Sequence, residues 1–191
     1  MAGPGAAPEG DGDEGGVEVD ALTALGTALS RPDGRIATLA DAAGGAPLLV
    51  VVVEYRCSVS SAALQTLRTT GARLAVVSQG RPEAARALVE RTGVDERDVL
   101  VEPHPHPVSD ALAAAAVPTF VLVEGLELVA WQDGWDPALL RTLVRRAGGD
   151  LGRSGDLPPA ADPTASRLEL DEQERLALEA EDALLPGPTG R

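Results

Sequence analysis

The strongest pattern in the chain is an unbroken apolar run at 50–53, inside LLVVVVEYRCSVS, with no polar residue on either alternation. A strand with one wet face alternates, so a continuous run predicts a central strand covered on both faces. At 58–68 the period changes. Val59, Ala63 and Leu67 recur at i, i+4 and i+8 on one helical face, and Gly71 ends the segment. RLAVVS at 73–78 is a second buried strand. Pro82 and Glu83 suit the first turn of the next helix, Ala84 and Leu88 its inner face, and Gly93 its C′ position. A short strand at 98–102 leads into the loop PHPHP and a small alanine-rich helix around 109–116. Segments 119–124 and 127–131 pair as a hairpin across Gly125. Asp136 caps and Pro137 starts a last helix, with Leu139, Leu140, Leu143, Val144 and Ala147 as its apolar stripe. The order β-α-β-α, an insert, then β-β-α excludes a doubly wound dinucleotide-binding domain, whose later strands each need a crossover helix.

This periodic unit, about 35–147, sits within a single predicted domain at 17–149. Residues 1–16, MAGPGAAPEGDGDEGG, have nothing to bury and are expected to be a disordered acidic tail. Residues 150–191 begin as a Pro-rich linker and end in RLELDEQERLALEAEDALL, a marginal acidic helix. Its Leu168, Leu170, Leu176, Leu178, Ala183 and Leu184 do not fall on one stripe, which favours a solvated tail over a docking one.

Charge and cysteine usage narrow the function classes. The net charge of −14 opposes a phosphate backbone, and no basic stripe offsets it, so nucleic acid is not an expected partner. No apolar run approaches the ~20 residues that span a bilayer. The N-terminus lacks the basic and apolar regions of a secretory signal. A soluble cytoplasmic protein with no membrane partner is expected, and the sequence leaves its oligomeric state open. With one cysteine, Cys57, no internal disulfide can form.

Cys57 stands at the end of the first core strand, where a Ser-rich helix starts, and Pro118 opens the strand PTFVLVEG about sixty residues later. A thiol at a strand-to-helix junction with a proline-initiated strand resembles the thioredoxin superfamily, and within it the redoxin branch of TlpA-like and peroxiredoxin-related domains. The resemblance covers Gly34 to Ala147. DGRIATLADAAGGAPLLVVVV resembles the family's lead-in and core strand, VVSQGRPEAARALVERTGV its second strand and helix, and AVPTFVLVEG its cis-proline strand. The segment Val99 to Ala116 corresponds to the insert that separates redoxins from minimal thioredoxins. The resemblance implies a three-layer α/β/α fold with a central mixed sheet and an insert before the cis-proline strand. It also implies a cis bond at Val117–Pro118, with both residues facing Cys57 as a substrate platform, and Trp135 either bordering the same groove or covering the final helix.

The departures bear on activity. The family's C-x-x-C reads Cys57-Ser58-Val59-Ser60 here. Peroxiredoxins carry Thr three residues before their cysteine; this chain has Glu54, so the resemblance does not extend to peroxidase chemistry. Thioredoxins favour Trp immediately before the first Cys, and here it is Arg56.

A thiol attacks a disulfide only as thiolate, and helix N-termini stabilise that anion through the macrodipole and unpaired N–H groups. Cys57 is expected at such an end, Arg56 adds positive charge nearby, Ser60 is expected to donate its hydroxyl to the thiolate, and Glu54 opposes the anion if it points that way. A free cysteine also serves as a small buried hydrophobe. Two functions follow: monothiol exchange centred on Cys57, with Ser60 as a second catalytic residue and client protein or small thiols and disulfides as partners, or a redox-inactive interaction module using the cis-proline groove. Neither needs a cofactor. His104 and His106 lack a third ligand nearby, and the prolines flanking them predict a stiff loop with the rings turned apart, so no metal site is expected. Ser58, Ser60 and Ser61 lack the Gly-x-Ser-x-Gly elbow of a serine hydrolase.

Overall fold

The computed structural model describes residues 20–152; the expected N-terminal tail and nearly all of the C-terminal linker, with its acidic helix, lie outside them. The chain runs α1 (Ala21–Gly26), β1 (Leu29–Ser30), β2 (Ile36–Ala37), α2 (Leu39–Ala43), β3 (Leu48–Glu54), α3 (Ser58–Leu67), β4 (Leu74–Gln79) and α4 (Pro82–Thr92). A 3₁₀ turn then leads to β5 (Val99–Glu102), α5 (Pro107–Ala111), β6 (Thr119–Glu124), β7 (Glu127–Asp133) and α6 (Pro137–Arg146). One seven-stranded mixed sheet has the order β2-β1-β5-β4-β3-β6-β7.

β3 lies at the heart of the sheet, parallel to β4 and antiparallel to β6. Its unbroken apolar run is used on both faces. Leu49, Val51 and Val53 enter one core with α3, α4 and α6, while Leu48, Val50 and Val52 enter a second with α1, α2 and α5. All six are at most 1% exposed. Burial on that scale contributes about 1.5–3 kcal/mol per Val or Leu side chain. The domain is therefore a three-layer α/β/α structure.

Local signals account for most boundaries. Pro82 starts α4, and Gly93 ends it in a left-handed conformation whose N–H caps Val89. Asp136 accepts the N–H groups of Ala138 and Leu139 to cap α6. Three details depart from the sequence expectation. The buried face of α4 is Ala85, Leu88 and Thr92 rather than Ala84, and Leu139 of α6 is 63% exposed, so the stripe there is Leu140, Leu143, Val144 and Ala147. The helix expected around 109–116 is α5, which starts earlier at Pro107 and stops by Leu112, because Ala113 takes a positive φ of 52°. α1 and β1 lie ahead of the periodic unit but inside the span 17–149, and Leu151, only 5% exposed, packs just past the far end of that span.

Candidate functional site

The chain leaves β3 at Glu54 and enters α3 at Cys57, which is the N-cap residue with φ −67° and ψ 116°. Glu54 builds the turn between them. Its carbonyl accepts the Cys57 N–H at 3.2 Å. Its carboxylate Oε2 accepts the N–H of Arg56 at 2.7 Å and that of Cys57 at 3.0 Å. The sulfur then points into the cap: Cys57 Sγ accepts the backbone N–H of Ser60 at 3.4 Å. On its other side Sγ lies 3.9 Å from the carbonyl oxygen of Val117. Cys57 is 8% exposed and packs with Val108, Leu112 and Val117.

Val117–Pro118 is a cis peptide. The Pro118 carbonyl accepts the N–H of Gly134 at 2.8 Å. The Thr119 hydroxyl bridges the Ala116 carbonyl at 2.5 Å and the Asp133 carboxylate. The structure thus brings Cys57, Ser60, Val117 and Pro118 together, with the backbone of Gly134 beside Pro118.

Two expected roles are corrected. The group on the sulfur is the backbone N–H of Ser60, whereas its hydroxyl is fully buried and has no hydrogen-bond partner among the described residues. As an N3 residue, Ser60 presents its amide to the cap. Trp135 does not line a groove. It is 2% exposed and lies in the opposite core, 6.1 Å from Phe120 between ring centroids. The exposed tryptophan is Trp131, at 59%, which with Leu112, Val121 and Leu128 borders a cavity of about 80 Å³ on the Cys57 side of the sheet. Sequence alone could not separate the two: Trp131 stands on the edge strand β7 opposite Val121, while Trp135 lies just past that strand and is covered by the core of the other face.

The charges around the turn are arranged on Tyr55. Arg56 donates Nε to the Tyr55 hydroxyl at 2.9 Å and lies 5.4 Å from its ring centroid. Arg91 of α4 stands 5.8 Å from the same ring and donates to the Tyr55 carbonyl. Burial pushes the Glu54 carboxyl above its ordinary value, an effect the Arg56 and Cys57 N–H bonds and the Arg56 and Arg91 charges only partly offset.

Glu102 is a further buried group that the pattern did not single out. Its carboxylate is inaccessible and accepts the N–H of Val108 at 2.5 Å, that of Ser109 at 2.8 Å and the Ser109 hydroxyl. It thereby caps α5 from the end of β5, and an acid a few residues before a Pro-initiated helix was the available signal. The His104 and His106 rings are not turned apart as expected: they meet edge to face at 5.6 Å, across the cis peptide His104–Pro105. Among the described residues no three His, Cys, Asp or Glu side chains cluster as a metal site.

No family model matches the sequence, and no curated protein does. Solved structures do match. A secreted disulfide oxidoreductase of Mycobacterium tuberculosis, homologous to E. coli DsbE, superposes with a TM-score of 0.53 at 14% identity, over 64% of this chain and 96% of that one. M. tuberculosis DsbF, known in mixed oxidised and reduced forms, gives 0.53 at 15% identity over 68% and 97%. A thioredoxin-like protein from Aeropyrum pernix gives 0.50 at 10% identity over 62% and 88%. At these identities the likeness establishes the fold, which is thioredoxin-like.

Proposed function

We propose that this chain carries out monothiol thiol–disulfide exchange at Cys57, on protein or small-molecule thiols and disulfides. The observation that carries the reading is the seat of the sulfur: Sγ caps α3 by accepting the Ser60 N–H and faces the carbonyl of Val117 across the chain. A helix N-terminus stabilises the anion that exchange requires. In the reaction the Cys57 thiol gives its proton to solvent, and the thiolate attacks one sulfur of a disulfide. A new S–S bond forms as the old one breaks, and the second sulfur leaves as thiolate with the bonding electrons. With serine at position 60, the mixed disulfide must be released by a second thiol from outside the chain. A reducing cytoplasm supplies such thiols, and we place the protein there.

The burial of Cys57, Val117 and Pro118 favours a second reading, a thioredoxin-fold interaction module without redox turnover. The Ser60→Cys variant separates the two. Exchange at this site predicts that Ser60→Cys forms an internal disulfide under mild oxidant and gains dithiol reductase activity, which Cys57→Ser then abolishes. A Ser60→Cys protein that keeps two free thiols under the same oxidant rejects the exchange site.

A further inference from the structure

We propose that Glu54 is a positioning residue for exchange at Cys57: its carboxylate ties down the turn that aims the sulfur, and its charge sets how the rate depends on pH. The inference rests on the exchange reading above. Its basis is geometric. Between the end of β3 and the Cys57 cap the backbone has only Tyr55 and Arg56 with which to turn, and the Glu54 side chain folds over that turn to take the N–H groups of Arg56 and Cys57, at 2.7 and 3.0 Å. The Cys57 N–H is shared between Glu54 Oε2 and the Glu54 carbonyl, so the residue bearing the sulfur is held by Glu54 twice. Both bonds draw the Glu54 carboxylate onto the turn before Cys57, so its orientation is committed to that turn. A charge-assisted bond to a backbone N–H is about twice as strong as a neutral one, so the tie is strongest with the acid ionised and a neutral acceptor keeps a weaker form of it.

The same carboxylate is half-buried and sits one turn from a sulfur that must become negative. The charged and titratable groups facing it are Arg56 and Tyr55 on its own turn, Arg91 from α4, and Cys57 itself. Arg56 and Arg91 are drawn onto Tyr55, which leaves the Glu54 charge incompletely compensated. Exchange spreads negative charge over three sulfurs in line, and an adjacent carboxylate opposes it. Glu54 therefore does two separable things. Its acceptor atoms hold the turn and promote reaction, and its charge slows it. Glu54 takes no proton from the sulfur in this scheme.

The test is the second-order rate at which Cys57 releases pyridinethione from 4,4′-dithiodipyridine, divided at each pH by the rate for a small free thiol so that protonation of the reagent's pyridine nitrogens cancels, across the acid and neutral range for the wild type, Glu54→Gln and Glu54→Ala. Glutamine keeps an acceptor and loses the charge. It is expected to react several-fold faster than wild type at neutral pH and to lose the lower inflection, which in wild type falls above the ordinary carboxylate range. Alanine loses the tie and is expected to react about tenfold slower than glutamine. Superimposable profiles for wild type and glutamine overturn the inference, and they do so even if the alanine variant fails to fold. A folded wild type whose Cys57 gives no pyridinethione, while the urea-unfolded chain does, overturns the exchange reading itself.

Discussion

Cys57 and Val117, sixty residues apart in sequence, meet with Sγ 3.9 Å from the Val117 carbonyl oxygen. The contact exists because β3 and β6 are antiparallel neighbours in register, with Val52 opposite Thr119. The end of one strand and the start of the other therefore lie at the same edge of the sheet. Both residues are buried, so in the exchange proposed above access to the sulfur, as much as thiol chemistry, sets the rate.

The two tryptophans give a direct check on the packing. Trp135→Ala removes a side chain 2% exposed against Phe120 and is expected to cost about 3–5 kcal/mol of unfolding free energy. Trp131→Ala, at a site 59% exposed, is expected to change stability by no more than about 0.5 kcal/mol. Urea titration of the two variants decides it, and equal losses would contradict this placement of the two rings.

Gly149 offers a test of how the end of the domain is held. A Cβ there falls 2.6 Å from the Ala72 nitrogen and 2.7 Å from its Cβ, beside the Arg73-to-Ala147 and Asp150-to-Thr70 backbone bonds. Gly149→Ala is expected to lose about 1–3 kcal/mol. An unchanged thermal midpoint would show that this close approach is absent in solution.

How much of this was legible in the sequence follows from which interactions are local. The central strand, α4 with its proline and glycine punctuation, and the Asp136 cap all depend on residues within one segment, and the pattern found them. Trp135, Ser60 and the histidine pair were misjudged because their environment is made by other segments. The Ser60 hydroxyl is shut in by packing around α3, Trp135 is covered by Phe120 from β6, and the His rings are set by a loop conformation. A short strand before the core strand, where β2 lies, was given by the resemblance of DGRIATLAD to the family's lead-in, but β1 was not placed, because two-residue strands carry no periodicity. The position of Cys57 was readable; the role of Glu54 was not, since nothing in EYRC says which way a glutamate folds.

Stability should depend on pH through Glu54 and Asp98, whose carboxyls burial raises above their ordinary values of 4.5 and 3.8. A group whose folded pKa is raised binds its proton more tightly in the native state. Its favourable contribution is complete below the unfolded value and is lost as pH rises through the folded one. Asp41 and Asp95, lowered chiefly by the backbone N–H groups of Thr38 and Arg97, act in the opposite sense and lose their contribution as pH falls through their folded values. Glu54→Gln is therefore expected to flatten the decline in stability above pH 4.5. Thermal melts across that window check it, and a slope identical to wild type would place Glu54 in ordinary solvent.

Exchange at Cys57 is tested most directly by intact-mass spectrometry of the folded wild-type protein after exposure to a small oxidised disulfide under native conditions. A single adduct on the Cys57 peptide, the retained half of the small disulfide in mass and removed by added thiol, is the predicted result. A folded protein that stays unmodified while its unfolded form is labelled would contradict it, and would leave Cys57 as a packing residue of the core.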